Sequence, residues 1–267
     1  MSISFEEEDF DYDAQDIERL NAQEVLREFF KQNSTKVFYT RQLQILHEHQ
    51  FFHWITGSTL KVLVEQKEIR TEKHNLSNKS TINLYWHKSF RYYKRDIKRV
   101  IGLVNEYTHF SFTNSLGLHG ERMVLHAFAL AGFNVKGEST REFNGKIWTN
   151  TEHDLDYIFE KDLVVYGVEV KNTLDYIDDK QLKIKIKLCD FLGIKPVFVV
   201  RMMPKTWIYE LIESGGYAMI IKYQLYPWAQ NTMAKKIREE LQLPVDTPTA
   251  LAKGTIDKFV KWHQQNL

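Results

Sequence analysis

The sequence is poor in cysteine and in long apolar runs, and each shortage excludes a class of protein. Cys189 is the only cysteine among 267 residues, which excludes an internal disulfide and a zinc site built from several cysteines. No apolar run reaches the ~18 residues that a membrane helix needs. The start of the chain lacks the basic and apolar stretches of a secretory signal. We therefore expect a globular, cytoplasmic protein that does not enter the membrane.

Net charge is also nearly absent, because 36 Lys and Arg residues oppose 35 Asp and Glu residues. The balance hides an asymmetry: residues 1–18 hold eight acids and no Lys or Arg, which leaves 36 basic against 27 acidic residues over 19–267. A basic body is typical of proteins that bind a polyanion. An ordinary protein with a solvating acidic tail would show the same balance. In both cases we expect residues 1–18 to form a flexible acidic tail.

Residues 19–90 show helical periodicity three times and then two short strands. This order resembles the winged-helix fold, although it carries no specific motif. In DNA-binding members, the third helix enters the major groove and the hairpin touches the backbone; other members bind protein. The resemblance implies a nucleic-acid-binding domain whose contacts are Thr56, Ser58, Thr59 and Lys61 on the third helix, and Lys73, His74 and Lys79 on the hairpin.

A segment rich in basic and aromatic residues leads into residues 91–112, which we interpret as a basic connector. Basic groups interleaved with aromatic rings suit contact with phosphates and stacking on bases. An amphipathic helix with buried aromatics and a solvated basic face would give the same pattern. The basic residues concerned are Lys88, Arg91, Lys94, Arg95, Lys98 and Arg99.

Residues 113–267 change to an alternation of apolar helices and strands that ends in two helices. The order helix–strand–strand–helix–strand–helix–strand predicts a mixed sheet with helices on its faces. The predicted fold class is therefore α/β: a C-terminal mixed sheet flanked by helices, joined to a mostly helical N-terminal domain.

The most informative pattern lies at the end of one apolar strand. Glu169 and Lys171 share a face of that strand, where charged side chains are rare and costly unless a site uses them. Asp154 and Asp156 begin the preceding strand, and a hairpin would bring one of them close to Glu169. Converging carboxylates provide the hard oxygen ligands that Mg²⁺ prefers. The simpler interpretation is an ordinary Glu–Lys pair at a sheet edge.

With these side chains, residues 115–225 resemble the PD-(D/E)XK nuclease superfamily. This superfamily has the restriction-endonuclease-like fold and includes archaeal Holliday junction resolvases. The resemblance implies a Mg²⁺-dependent DNA endonuclease, with Mn²⁺ as a substitute ion. The proline of the motif's name is absent before both aspartates. The matching residues are Gly120-Glu121, Gly132-Phe133, Asp156 and Glu169-Val170-Lys171.

The resemblance also implies roles for single residues. Asp156 and Glu169 would hold the metal, with Asp154 competing for the place of Asp156. Lys171 would be the catalytic lysine and Glu121 would support the metal site. Some members carry a glutamine early in the next helix. Gln181 occupies that place here and would be a fifth catalytic residue.

Two other functions stay open at this stage. One is a non-catalytic DNA-binding or assembly protein with a nuclease-derived fold, and the other is a structure-specific junction resolvase. DNA rather than RNA is favoured as the partner by family analogy alone. A homodimer or a partner protein is left open.

Overall fold

The computed structural model describes residues 12–267, without the side chains of residues 12–16, 110 and 111. It shows a mixed α/β protein whose described residues divide into two compact units, 12–106 and 107–267. The first helix begins at Tyr12, inside the segment expected to be a flexible tail, and the first eleven residues of that tail lie outside the described residues. In the described chain, no helix has the length and apolar character needed to cross a membrane.

The first unit packs its helices against a small antiparallel sheet. Ala22, Leu26 and Phe30 recur at every fourth position of the first helix, so they form one buried face. The sheet order is β1-β3-β2. The elements are α1 (Tyr12–Gln32), β1 (Val37–Tyr39), α2 (Thr40–Leu46), α3 (His53–Glu65), β2 (Ile69–Asn75), β3 (Thr81–His87) and α4 (Tyr93–Tyr107).

The predicted connector at residues 91–112 contains the whole of α4 and the start of the next helix. The boundary between the two units falls near the end of α4, after Glu106. At the start of α4, Tyr93 stacks on Trp86 of β3 with ring centroids 4.5 Å apart. The carboxylate of Asp96 accepts a hydrogen bond from the Val37 amide. Helix α4 is therefore tied to the sheet of the first unit.

The second unit contains a five-stranded mixed sheet and the remaining helices. Its elements are α5 (Phe110–Leu130), β4 (Asn134–Thr140), β5 (Glu142–Phe143), β6 (Lys146–Ile147), β7 (Leu155–Lys161), β8 (Val164–Lys171), α6 (Asp179–Leu192), β9 (Lys195–Val200), α7 (Lys205–Glu213), β10 (Tyr217–Ile220), β11 (Gln224–Leu225), α8 (Asn231–Leu241), β12 (Val245–Asp246) and α9 (Lys253–Gln265).

Strand β8 lies at the centre of this sheet, whose order is β10-β9-β8-β7-β4. It runs parallel to β9 and antiparallel to β7. Val168 and Val170 face a core layer that includes residues of α5 and α9. The opposite face of the sheet packs against α6 and α7. Because side chains alternate along a strand, Glu169 and Lys171 lie on the α6 side.

Candidate active site

The two antiparallel strands β7 and β8 carry the acidic residues. Their paired register begins at Tyr157 and Val168, so one further step along both strands places Asp156 across from Glu169. The Asp156 carboxylate accepts a hydrogen bond of 2.6 Å from the Val170 amide. The side chain of Asp156 is thus fixed by the backbone of β8, next to Glu169.

Glu169 lies between two ammonium groups. Its side chain is only 2% exposed, and its Oε1 is 2.6 Å from Lys171 Nζ while its Oε2 is 2.5 Å from Lys185 Nζ. Lys185 also donates a hydrogen bond to the carbonyl of Asp154 and lies 3.9 Å from the Asp154 carboxylate. A buried carboxylate is tolerated when its oxygens are paired in this way.

Two carboxyl groups of the site, those of Asp156 and Glu121, hold a proton more tightly than an isolated carboxyl does. Burial, followed by the charge of Glu169, raises the pKa of Asp156 to about 7. The same two causes raise the pKa of Glu121. Burial would lower the pKa of Lys171, but the charge and hydrogen bond of Glu169 outweigh burial and raise it. The site therefore holds more negative charge than its lysines neutralise.

Helix α5 is held against the end of β8 by a close approach of two residues. A Cβ atom on Gly120 would lie 2.4 Å from the Cβ atom of Asn172, so this contact requires glycine. Asn172 is buried and donates hydrogen bonds of 2.7 Å to the carbonyls of Leu116 and Leu225. This packing places Glu121, the next residue of α5, near the carboxylates of β7 and β8.

Lys185 and Asn172 were missed by sequence reasoning. Lys185 lies in α6 within a run of alternating lysine and isoleucine, KIKIK, and lysines are ordinarily exposed. The predicted residue of that helix, Gln181, is exposed in the first turn. Its backbone N–H donates to the side chain of the N-cap residue Asp178. The side chain of α6 that reaches Glu169 comes from one turn later, at Lys185.

Among the described residues, the site offers oxygen donors to a divalent metal but no preformed set of ligands. In the chain from residue 12 onward, no group of three or more His, Cys, Asp or Glu side chains is arranged to hold a metal ion, and both oxygens of Glu169 are paired with lysines. The donor chemistry fits a hard cation, because four carboxylates and two ammonium groups give a formal charge of −2. The residues involved are Glu121, Asp154, Asp156, Glu169, Lys171 and Lys185.

The predicted nucleic-acid contacts of α3 are divided between the interior and the surface. Thr56 and Thr59 are 0% and 2% exposed, so they do not lie on a surface that could touch DNA. Ser58 is half-buried and its hydroxyl donates to the Ile55 carbonyl. Lys61 is exposed. The helix turns its threonines inward because Thr56 and Thr59 share a face with the core residues Ile55, Leu60 and Leu63.

The predicted basic contacts of the hairpin and of α4 lie at the surface. On the hairpin, Lys73 and Lys79 are exposed and His74 is half-buried. Arg99 is paired with Asp96 at 2.7 Å. Trp86 is buried and Tyr92 is exposed, so the aromatic residues are divided between core and surface. The exposed basic residues of this segment are Lys88, Arg91, Lys94, Arg95, Lys98 and Arg99.

An open groove of about 660 Å³ lies on the hairpin of the first unit. Arg70 on β2 pairs across the ladder with Trp86 on β3, so both side chains share one face of the sheet. Three exposed cations and one carboxylate line the groove beside the stacked Trp86 and Tyr93 rings. The charged residues of the groove are Lys67, Arg70, Lys88 and Glu72.

No family model, no curated protein and no solved structure matches this chain. The resemblance to PD-(D/E)XK nucleases therefore stays a prediction, and the function has to be inferred from the geometry and chemistry of the residues themselves.

Proposed function

We propose that the second unit is a Mg²⁺-dependent endonuclease of the PD-(D/E)XK type, which hydrolyses phosphodiester bonds in DNA. The observation that carries the proposal is the placement of Asp156 beside Glu169 at the ends of antiparallel strands, with Lys171 on the same face of β8. Mn²⁺ is expected to substitute for Mg²⁺, because oxygen ligands suit both ions.

Asp156 and Glu169 are the residues that would hold the ion. When bound at such a site, a divalent ion polarises a phosphoryl oxygen and lowers the pKa of a bound water. Asp156 is favoured over Asp154 because it is anchored to the Val170 amide and lies across from Glu169. The Asp154 side chain is 53% exposed, and its carboxylate lies 3.9 Å from Lys185 Nζ.

Lys171 would act on the substrate as a charged group. Its side chain is 32% exposed, whereas Glu169 beside it is buried, so Lys171 is the cation on the open side of the site. As the ammonium partner of an ion pair, it would donate hydrogen bonds to the phosphate and stabilise the negative charge that develops there. Glu121 would orient this cluster from α5.

We further propose a restriction-endonuclease-like fold for the second unit and a winged-helix-like fold for the first. The hairpin β7–β8 between α5 and α6, followed by the parallel strand β9, supports the first assignment. Three helices with the antiparallel order β1-β3-β2 support the second. In this proposal the first unit binds DNA through its basic surface, and the groove beside Arg70 and Lys88 would contact the phosphate backbone.

The carboxylate cluster favours an enzyme over a non-catalytic DNA-binding protein. A formal charge of −2 repels a phosphate unless a cation neutralises it, so a protein that only binds DNA gains nothing from this cluster. The alternative predicts salt-dependent binding that EDTA does not change, and no strand cleavage with any divalent ion. A junction resolvase would prefer a four-way junction over linear duplex of equal length in direct competition.

The proposal is tested by incubating supercoiled plasmid with the full chain and Mg²⁺ or Mn²⁺. We expect nicking that EDTA abolishes and that the Lys171→Met variant loses, because Met keeps the length of the side chain without its charge. Lys258→Met is the matched control, since Lys258 is exposed on α9. Tight DNA binding without cleavage under any of these ions would contradict the proposed activity. Cleavage that survives in the Lys171→Met variant would contradict the assigned site.

A further inference from the structure

The buried face of α6 contains one charged residue among apolar ones. Leu182, Leu188, Cys189 and Leu192 are buried on this face, and Lys185 among them is 6% exposed. An apolar side chain at this position would bury itself without a desolvation cost, whereas an ammonium group needs partners to be tolerated there. The partners of Lys185 are two atoms of the candidate active site, Glu169 Oε2 and the Asp154 carbonyl.

A glycine on β8 determines how closely α6 approaches the site. A Cβ atom on Gly167 would lie 2.6 Å from Cys189 Sγ, so the small Cys189 side chain of α6 packs directly on the backbone of the strand there. Two residues further along β8 is Glu169, and one helical turn before Cys189 is Lys185. The close contact at Gly167 therefore brings Lys185 directly onto Glu169.

The two lysines approach Glu169 from different sides. Lys185 binds Oε2 from the interior, where its side chain is 7% exposed, and Lys171 binds Oε1 from the open edge, where its side chain is 32% exposed. A ligand arriving from solvent therefore meets Oε1 and Lys171 first. Oε2 stays with Lys185.

We propose that Lys185 is a positioning residue that holds Glu169 and the start of β7 in place for a divalent ion. By binding Oε2 it would leave Oε1, which pairs with Lys171 at the open edge, as the oxygen within reach of an arriving ion, and by binding the Asp154 carbonyl it fixes the backbone two residues before Asp156. This inference rests on the proposed metal-dependent function.

A positioning role and a simple counter-charge predict opposite effects of removing the ammonium group. If Lys185 only neutralised the cluster, Lys185→Met would make the site more negative and would tighten the binding of a divalent cation. If Lys185 positions Glu169, the same substitution weakens binding, because the ligand loses its orientation. Losing a hydrogen-bond partner of a metal ligand typically weakens metal affinity by about 10–100-fold.

The test is calorimetric titration of the full chain with Mn²⁺ alone, without DNA. We expect Lys185→Met to raise the Mn²⁺ dissociation constant by at least about tenfold. Lys185→Arg keeps the charge and the donors, so it should retain most of the wild-type affinity. Lys187→Met is the matched control, because Lys187 is exposed two residues further along α6, and its affinity should equal that of the wild type.

The outcomes separate this inference from the function on which it rests. Wild-type Mn²⁺ affinity, or tighter binding, in Lys185→Met would overturn the positioning role while leaving the metal site intact. If Lys185→Met does not fold, Lys185→Leu removes the donor with another apolar side chain, and wild-type or tighter Mn²⁺ binding in that variant would overturn the role in the same way. Failure of the wild type itself to bind Mn²⁺ and to cleave plasmid would remove the proposed function, and this inference with it.

Discussion

Replacing Asp156 with Asn is expected to stabilise the metal-free protein at pH 8. In the folded chain, burial and the charge of Glu169 raise the pKa of this carboxyl from 3.8 to about 7. One pKa unit corresponds to about 1.4 kcal/mol, so holding the ionised form in the folded state costs at most about 4 kcal/mol. Because Asp156 is not fully buried, we expect a gain of about 1–3 kcal/mol in the free energy of unfolding.

The sign of the pH dependence follows from where the proton is bound. Between about pH 4 and pH 7 the folded state holds the Asp156 proton more tightly than the unfolded state. The free energy of unfolding therefore falls as pH rises through this window, and it is unchanged by this group above the folded-state pKa. In Asp156→Asn this contribution is absent, because Asn does not titrate and its carbonyl can still accept from the Val170 amide.

The assay is urea unfolding in EDTA at pH 5 and at pH 8, with Asp190→Asn as control because Asp190 is an exposed carboxylate on α6. The difference between Asp156→Asn and the wild type should be larger at pH 8 than at pH 5, and the control should show no such change. Equal or lower stability of Asp156→Asn at pH 8 would refute the electrostatic description of the cluster. Addition of Mg²⁺ at pH 8 should stabilise the wild type more than the variant, since binding to the folded state alone raises stability.

Two further predictions concern packing around the central strand. Gly120→Ala should lower the free energy of unfolding by about 1–3 kcal/mol, because the new Cβ atom would overlap Asn172, the residue that follows β8. Gly117→Ala in the same helix is the control, since no atom lies within 4 Å of its added Cβ. In thermal melts this control should be neutral or slightly stabilising. His263→Ala should cost about 2–4 kcal/mol, because His263 is fully buried and accepts from the Tyr166 hydroxyl at 2.6 Å while donating to Asp162. The exposed neighbour Gln264→Ala is its control, and equal melting temperatures for the two variants would contradict this description of the network.

Local sequence was sufficient to predict which side chains of β8 share a face. Strand alternation alone places Glu169 and Lys171 on one face and Val168 and Val170 on the other, and the structure has Val168 and Val170 in the layer with α5 and α9. Hairpin geometry likewise predicts that Asp154 or Asp156 lies near Glu169, and the register of β7 and β8 places Asp156 across from it. These features depend on neighbours in the chain, which is why a pattern of a few residues determines them.

Orientation about a helix axis could not be predicted in the same way. The apolar pattern of α3 allowed an exposed face with Thr56 and Thr59, but both residues are buried in the helix that packs against α1. Lys185 is the converse case: its flanking lysines, Lys183 and Lys187, are exposed on α6, while Lys185 itself is buried against Glu169. Which side of a helix faces inward depends on its partner in space.

Two glycines connect these observations, because each allows a helix to approach the end of β8 from one face of the sheet. Gly120 brings α5 onto Asn172, and Gly167 brings α6 onto the strand near Glu169. In the sequence a glycine gives no indication of its contact, since the partner lies on a distant segment. The backbone contacts at these glycines bring Glu121 and Lys185 to the carboxylates of a hairpin that local sequence already places together. The site is therefore a local motif completed by two tertiary contacts: the resemblance predicts Glu121, whereas the contact of Lys185 with Glu169 could not be predicted from one sequence.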